Sequence, residues 1–79
     1  MKLSNKKYSK YSRGYSRTGR KKGYRVEIVY SAVHNCYYFL IDRKDTDYRF
    51  NSLWQYEGFK TEEECVEICE EYIDNNLVK

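Results

Sequence analysis

A basic, tyrosine-rich stretch near the start of the chain carries the residues best suited to bind another molecule. Residues 6–25 contain nine Lys or Arg, four Tyr, three Gly and no acid. The triplet Tyr-Ser-(Lys/Arg) occurs three times within it, beginning at Tyr8, Tyr11 and Tyr15. Cations at such short intervals suit a chain of phosphates, and the interleaved rings can stack on unpaired bases. The spacing indicates a segment that binds nucleic acid; the less specific interpretation is a disordered, solubilising terminus.

Twelve side chains of this stretch are predicted to contact nucleic acid. They are Lys6, Lys7, Tyr8, Lys10, Tyr11, Arg13, Tyr15, Arg17, Arg20, Lys21, Lys22 and Arg25. The stretch contains no aliphatic residue, so it has nothing with which to build a core. We therefore expect residues 1–23 to be a coil tail unless a partner is bound.

One His and three Cys are the remaining candidates for catalysis or metal binding. His34 and Cys36 with Cys65 and Cys69 supply four possible ligands, but two Cys at i, i+4 on a helix do not have a zinc-knuckle spacing. Both helical Cys lie on an apolar side, where a free Cys packs as a small hydrophobe. The chain also has no glycine-rich phosphate loop or serine elbow. We expect no enzyme activity, no metal, no cofactor and no small-molecule substrate.

Charge is strongly segregated along the 79 residues. Residues 1–25 carry ten Lys or Arg and no acid, whereas residues 61–79 carry seven acids and one Lys. One end therefore attracts anions and the other presents them. The odd number of Cys, the lack of a secretory signal and the lack of an apolar span of about 18–20 residues predict a cytoplasmic protein without a membrane partner.

Three strands are predicted after the tail. Residues 24–33 alternate, with Tyr24, Val26 and Ile28 on one side and Arg25 and Glu27 on the other. Residues 36–41 are apolar and aromatic on both sides, which favours a central strand, and Asn35 favours a turn before it. Residues 48–56 have aromatic side chains at most even positions, and a bulge or an early end is expected near residues 51–52.

A helix is predicted to follow, starting at Thr61 as its N-cap. Glu64, three residues later, completes the pattern of a capping box. An apolar half of the helix is expected to pack on the sheet. This half consists of Cys65, Val66, Ile68, Cys69, Tyr72, Ile73 and Leu77. The predicted fold is α+β: a three-stranded antiparallel sheet packed by one C-terminal amphipathic helix over residues 24–79, with the basic coil tail at 1–23.

The opposite half of the helix carries a row of acids. Those predicted to bind a partner are Glu63, Glu67, Glu70, Glu71 and Asp74. Their spacing of roughly 5–6 Å is near that of phosphates along one nucleic-acid strand, so the row can imitate a phosphate backbone. The commoner fate of such a row is a solvated surface.

The helix start at residues 58–64, with the sequence GFKTEEE after three strands, resembles the arm-binding N-terminal domain of tyrosine-type phage integrases. That resemblance covers residues 24–75 and implies a sheet that contacts DNA. In those domains the sheet usually carries basic residues, whereas here Glu27, Val29 and Ser31 share a side with Arg25.

The short chain and its leader KYSRGYSRTGRKKGYRV, residues 10–26, resemble the small phage-encoded anti-CRISPR proteins of the type II-A group. This resemblance implies an inhibitor of a type II CRISPR RNA-guided nuclease in the cytoplasm of a bacterial host. Its partner would be the nuclease with its guide RNA, bound through the tail and the acidic helix face so that target DNA is not engaged. The alternative is a small DNA- or RNA-binding accessory protein of phage origin, a recombination factor or regulator that uses sheet and tail directly.

Overall fold

The computed structural model describes residues 1–11 and 13–78, which form an antiparallel sheet packed against one helix. Five strands lie side by side in the order in which they occur in the chain. They are β1 (Lys7–Ser9), β2 (Gly14–Lys21), β3 (Tyr24–Ser31), β4 (Cys36–Asp42) and β5 (Arg49–Asn51). A 3-10 turn (Ser52–Trp54) follows β5, and helix α1 (Glu62–Tyr72) continues into a π-helical turn (Ile73–Leu77).

The α+β class is confirmed, but the prediction of a three-stranded sheet with a coil tail is wrong. Residues 7–9 and 14–21, predicted as coil, form β1 and β2, and β2 pairs with β3 from Tyr15 to Lys21. The prediction considered only aliphatic residues as able to cover a sheet. In β2 the covering groups are the Tyr15 ring and the methylene stems of Arg17 and Lys21, whose charged ends reach the acids of α1.

The third predicted strand ends early, as the Asn-Ser pair suggested. Strand β5 covers only three residues, because the chain turns inward at Ser52. The Ser52 hydroxyl is buried and accepts a hydrogen bond of 2.9 Å from the backbone N–H of Phe39 in β4. Beyond the turn, Phe59 pairs with Tyr37, so the outer edge of β4 is covered in two separate places.

Two tight turns set the register of the central strands. Lys22 and Gly23 connect β2 to β3 with φ angles of 54° and 86°, the left-handed pair that a two-residue type I′ hairpin requires. Asn35, with φ of 52°, precedes β4 and confirms the predicted turn.

Helix α1 begins where it was predicted to begin and buries the predicted side. The Thr61 hydroxyl accepts a hydrogen bond of 3.1 Å from the backbone N–H of Glu64. Cys65, Cys69 and Ile73 are fully buried against the sheet, which confirms the predicted packing of both cysteines in the core. The other buried members of the core are Tyr24, Val26, Ile28, Phe39, Ile41 and Phe59. Each fully buried large side chain contributes about 1.5–3 kcal/mol to folding.

Within the described residues, no helix combines the length and the apolar character needed to cross a membrane.

Candidate nucleic-acid interface

The two faces of the sheet differ because only one of them is covered by α1. Val26 and Ile28 of β3 and Phe39 of β4 lie on the covered face and are fully buried. Successive side chains of a strand point to opposite faces, so the residues that alternate with these lie on the other side. We call that side the open face, because α1 does not cover it.

A row of three arginines and one aspartate crosses four strands of the open face. Arg20 pairs with Arg25, Arg25 with Asp42, and Asp42 with Arg49 in the strand register. Neighbouring strands lie about 4.8 Å apart, so this arginine row spans about 14 Å. Three guanidinium groups therefore stand side by side with one carboxylate among them.

Asp42 orients the central arginine of the row. Its Oδ2 accepts hydrogen bonds from Nε of Arg25 at 3.2 Å and from Nη2 at 2.8 Å. These bonds, together with the charges of Asp42 and Glu27, raise the pKa of Arg25 above its ordinary value. The Arg25 side chain is nevertheless 58% exposed, so its remaining donors face solvent.

A shallow depression at this end of the sheet gathers cations from three strands and one loop. It is lined by Arg20, Gly23, Arg25, Asp42, Arg43, Lys44, Thr46, Tyr48 and Arg49. Five of these residues are cations and one is an acid, so the basic depression, as we call it, strongly favours an anion. The Arg43 guanidinium group makes a cation–π contact with Tyr24, because its Cζ lies 5.3 Å from the centre of that ring.

A second depression adjoins the basic depression and contains the only Trp of the chain. The two share Arg25, Asp42 and Arg49, while Trp54 and Leu40 belong to the second one. Trp54 is 70% exposed beside β5. An aromatic surface thus lies directly beside the arginine row.

The far end of the open face, near the β1–β2 turn, is less basic. Tyr11, Ser16, Glu27, Val29 and Tyr38 line a third depression there. Burial, followed by the charge of Glu27, raises the pKa of Tyr38 above its ordinary value, so its hydroxyl stays protonated. Glu27 places a negative charge in the middle of the face, which opposes phosphate binding at that position.

The twelve residues predicted to bind nucleic acid separate into two groups. Nine are exposed, namely Lys6, Lys7, Tyr8, Lys10, Tyr11, Arg13, Arg20, Lys22 and Arg25. Only Arg20 and Arg25 of these line the basic depression. The other three, Tyr15, Arg17 and Lys21, lie on the covered face and are half-buried, so the predicted single binding stretch is divided between two sides of the sheet.

Two of the half-buried cations are paired with the acids of α1. Arg17 contacts Glu62 at 2.7 Å, and Lys21 contacts Glu70 at 3.0 Å and Asp74 at 3.2 Å. The hydrogen bond from Lys21 lowers the pKa of Glu70, and the same carboxylates raise the pKa of Lys21. Cations near the start of the sequence are therefore paired with acids near its end.

The acids predicted to bind a partner are divided in the same way. Glu70 and Asp74 are paired with Lys21, whereas the exposed Glu63, Glu67 and Glu71 are in no ion pair among the described residues. Only these last three form an outward-facing row on α1.

Two of the tyrosines predicted to stack on bases instead belong to a row on the covered face. Tyr8, Tyr15, Tyr30 and Tyr37 are successive cross-strand partners, with ring centres 6.1, 5.7 and 4.9 Å apart. The Tyr15 hydroxyl donates to Glu62 Oε1 at 3.1 Å, and burial raises its pKa. Tyr15 therefore joins β2 to the start of α1.

Cys65 and Cys69 lie where thiol chemistry is suppressed. Burial raises the pKa of the Cys69 thiol to about 12 and also raises the pKa of the Cys65 thiol. In residues 1–11 and 13–78, no group of three or more His, Cys, Asp or Glu is arranged to hold a metal ion.

Sequence reasoning missed four residues of the interface. Arg43, Lys44 and Arg49 come from a stretch whose average charge is slightly negative, and Trp54 was assigned to a strand. The useful signal was alternation: if Phe50 points to the core, then Arg49 and Asn51 point away from it.

Comparisons of the chain with protein-family models, with curated proteins and with solved structures return no match. The resemblances to integrase arm-binding domains and to anti-CRISPR proteins therefore stay predictions.

Proposed function

We propose that this chain is a non-enzymatic nucleic-acid-binding protein that holds a phosphate backbone on the open face of its sheet. The observation that carries the proposal is the basic depression, with five cations and one acid. The cations come from β2, β3, β5 and the loop after β4. This is the alternative considered from the sequence, with the cations of the loop and of β5 added to those of the basic stretch.

The chemistry of the arginine row supports a phosphate ligand. A guanidinium group presents paired donors that match two phosphate oxygens, and it stays charged at every physiological pH. Asp42 engages only one edge of Arg25, while Arg20 and Arg49 are in no ion pair among the described residues. An extended, flat anion suits these groups better than a compact one, because they are spread over about 14 Å.

The test is a salt titration of binding with a matched pair of double variants. Arg20→Gln with Arg49→Gln removes two cations of the row, and Lys2→Gln with Lys60→Gln makes the same change in net charge elsewhere. We expect wild type to bind a labelled oligonucleotide. The row variant should flatten the slope of log K against log salt by about 1.4 for a single strand or 1.8 for a duplex.

The control variant should bind nearly as wild type does. Equal loss in the two variants would assign the attraction to net charge and not to the row. Absence of wild-type binding to both single-stranded and duplex oligonucleotides would refute the proposal.

Inhibition of a type II CRISPR nuclease remains a second candidate. Glu63, Glu67 and Glu71 are exposed on α1 at steps of about 6 Å. This spacing supports the hypothesis that the row occupies a DNA-binding region of the nuclease. Tight binding to naked oligonucleotides favours the first function. Binding that becomes tight only when a nuclease–guide complex is added favours the second.

A further inference from the structure

Trp54 lies in the 3-10 turn after β5, and this turn is hydrogen-bonded to the core through Ser52. The Asn51 side chain accepts a hydrogen bond of 2.9 Å from the backbone N–H of Leu53, which starts the 3-10 turn. Ser52 is buried and bonded to β4, and its carbonyl accepts the N–H of Tyr56 at 2.7 Å. The backbone on both sides of Trp54 is therefore anchored.

The indole ring also contacts the core, although most of it faces solvent. It meets the Phe50 ring edge-on, with centres 6.0 Å apart and planes at 81°. Phe50 in turn stacks on Tyr72 of α1 at 4.3 Å and 14°. One edge of Trp54 is thus seated on the core, while 70% of the residue remains exposed. A large ring that is exposed but packed along one edge on the core is the arrangement expected of a contact surface.

The surroundings of Trp54 combine an aromatic face with phosphate-binding groups. Its depression contains Arg25 and Arg49 of the arginine row together with the carboxylates of Asp42 and Glu27, and Asn51 adds an amide at its rim. This is the pairing of ring and cation that single-stranded nucleic acid requires, since each nucleotide offers one base face and one phosphate. A duplex presents its phosphates equally well, but its bases are already stacked on one another.

We infer that the ligand of the open face is single-stranded nucleic acid, with an unpaired base stacked on Trp54 and the adjacent phosphates on Arg25 and Arg49. This inference rests on the proposed function and adds the strandedness of the ligand and the residue that determines it. DNA and RNA share the base and the phosphate, so both are included.

The intrinsic fluorescence of Trp54 reports on its own environment, because no other residue of the chain is Trp. Its fluorescence is measured during titration with single-stranded DNA, single-stranded RNA, the matching duplex and inorganic polyphosphate. Stacking predicts strong quenching by both single strands. Stacking predicts little change in Trp54 fluorescence with the duplex or with polyphosphate, even where these ligands bind.

Substitutions at Trp54 provide the second readout. Trp54→Leu should weaken single-strand binding by about 5- to 150-fold, the range for loss of one stacked base, while duplex binding changes little. Trp54→Phe keeps a ring and should retain most of the affinity. Leu53→Ala changes an exposed neighbour in the same turn and serves as the control for effects on folding.

Failure of this inference is distinguishable from failure of the proposed function. If wild type binds single strand and duplex equally, with unchanged fluorescence and with full affinity in Trp54→Leu, the assignment of Trp54 is wrong and the proposed function stands. If neither form of nucleic acid binds, both are wrong.

Discussion

At the level of single side chains, the cations of β2 have different roles according to the face on which they lie. Lys21 lies on the covered face and is shared by Glu70 and Asp74, whereas Arg20, the preceding residue, lies on the open face. The α-amino group of Met1 also approaches Glu70, at 3.5 Å. Glu70 thus joins the start of the chain and β2 to α1.

This role of Glu70 predicts a pH-dependent stability. Because the hydrogen bond from Lys21 lowers the pKa of Glu70 below its ordinary value of 4.5, the contribution to stability is present above that pH. It is lost as the pH falls through the lowered pKa of the folded state. Glu70→Gln should reduce Tm near neutral pH, and the difference from wild type should narrow below pH 4.5.

Thermal unfolding followed by circular dichroism over this pH range measures the effect. Glu71→Gln is the control, since the exposed Glu71 is in no ion pair among the described residues. Equal curves for Glu70→Gln and Glu71→Gln would show that the contact with Lys21 contributes nothing.

At the level of elements, the start of β2 approaches β3 so closely that it has no room for a side chain at Gly14. A Cβ built on Gly14 would clash with the carbonyl oxygen of Tyr30 and lie 2.8 Å from its carbonyl carbon. Gly14 is buried at the start of β2, beside the β1–β2 turn. The absence of a side chain at this position allows β1 and β2 to pack where they do.

Gly14→Ala should therefore destabilise the fold by about 1–3 kcal/mol, the usual cost of overpacking a site that cannot relax freely. Urea unfolding provides the measurement. Ser16→Ala, two residues further along the same strand, is the control and should change stability by less than about 0.5 kcal/mol. A Gly14→Ala protein as stable as wild type would mean that β2 is not packed against β3 as described.

At the level of the whole molecule, the basic stretch is both part of the fold and part of the surface. Strand β2 lies between β1 and β3, and its cations neutralise acids at both ends of α1. Its open-face side chains remain available to a ligand. The same segment thus contributes to folding with one side, and the proposed function assigns ligand binding to the other.

Deletion of residues 1–22 should consequently abolish cooperative unfolding, and not merely weaken binding. The truncation exposes the edge of β3 and leaves Glu62 and Glu70 without their cations. A domain this small has only about 5–15 kcal/mol of stability to lose. Calorimetry compares the truncated chain with a full-length Lys2→Ala, Lys10→Ala variant, which should unfold cooperatively. If the truncated chain shows the same unfolding transition as wild type, residues 1–22 are not required for folding.

Much of the fold was predictable because its signals are local. The alternation in residues 24–31 and the Thr61 cap followed by apolar positions at helical spacing each depend on residues near one another in the chain. The alternation also placed Arg25 on the side opposite Val26 and Ile28, and Arg25 is exposed in the structure.

By itself, then, the sequence determined the class of fold, the start and buried side of α1, the strands β3 and β4, and the separation of charge. Only the tertiary structure decided that the basic stretch forms β1 and β2. It also decided that Arg17 and Lys21 form ion pairs with Glu62 and Glu70. The position of Arg49 and Trp54 beside Arg25 was likewise decided by the tertiary structure. The reason is physical. A helix or the alternation of one strand depends on neighbours a few residues away. Strand pairing and the contacts across it join residues far apart in the chain, such as Lys21 and Glu70, which are 49 positions apart.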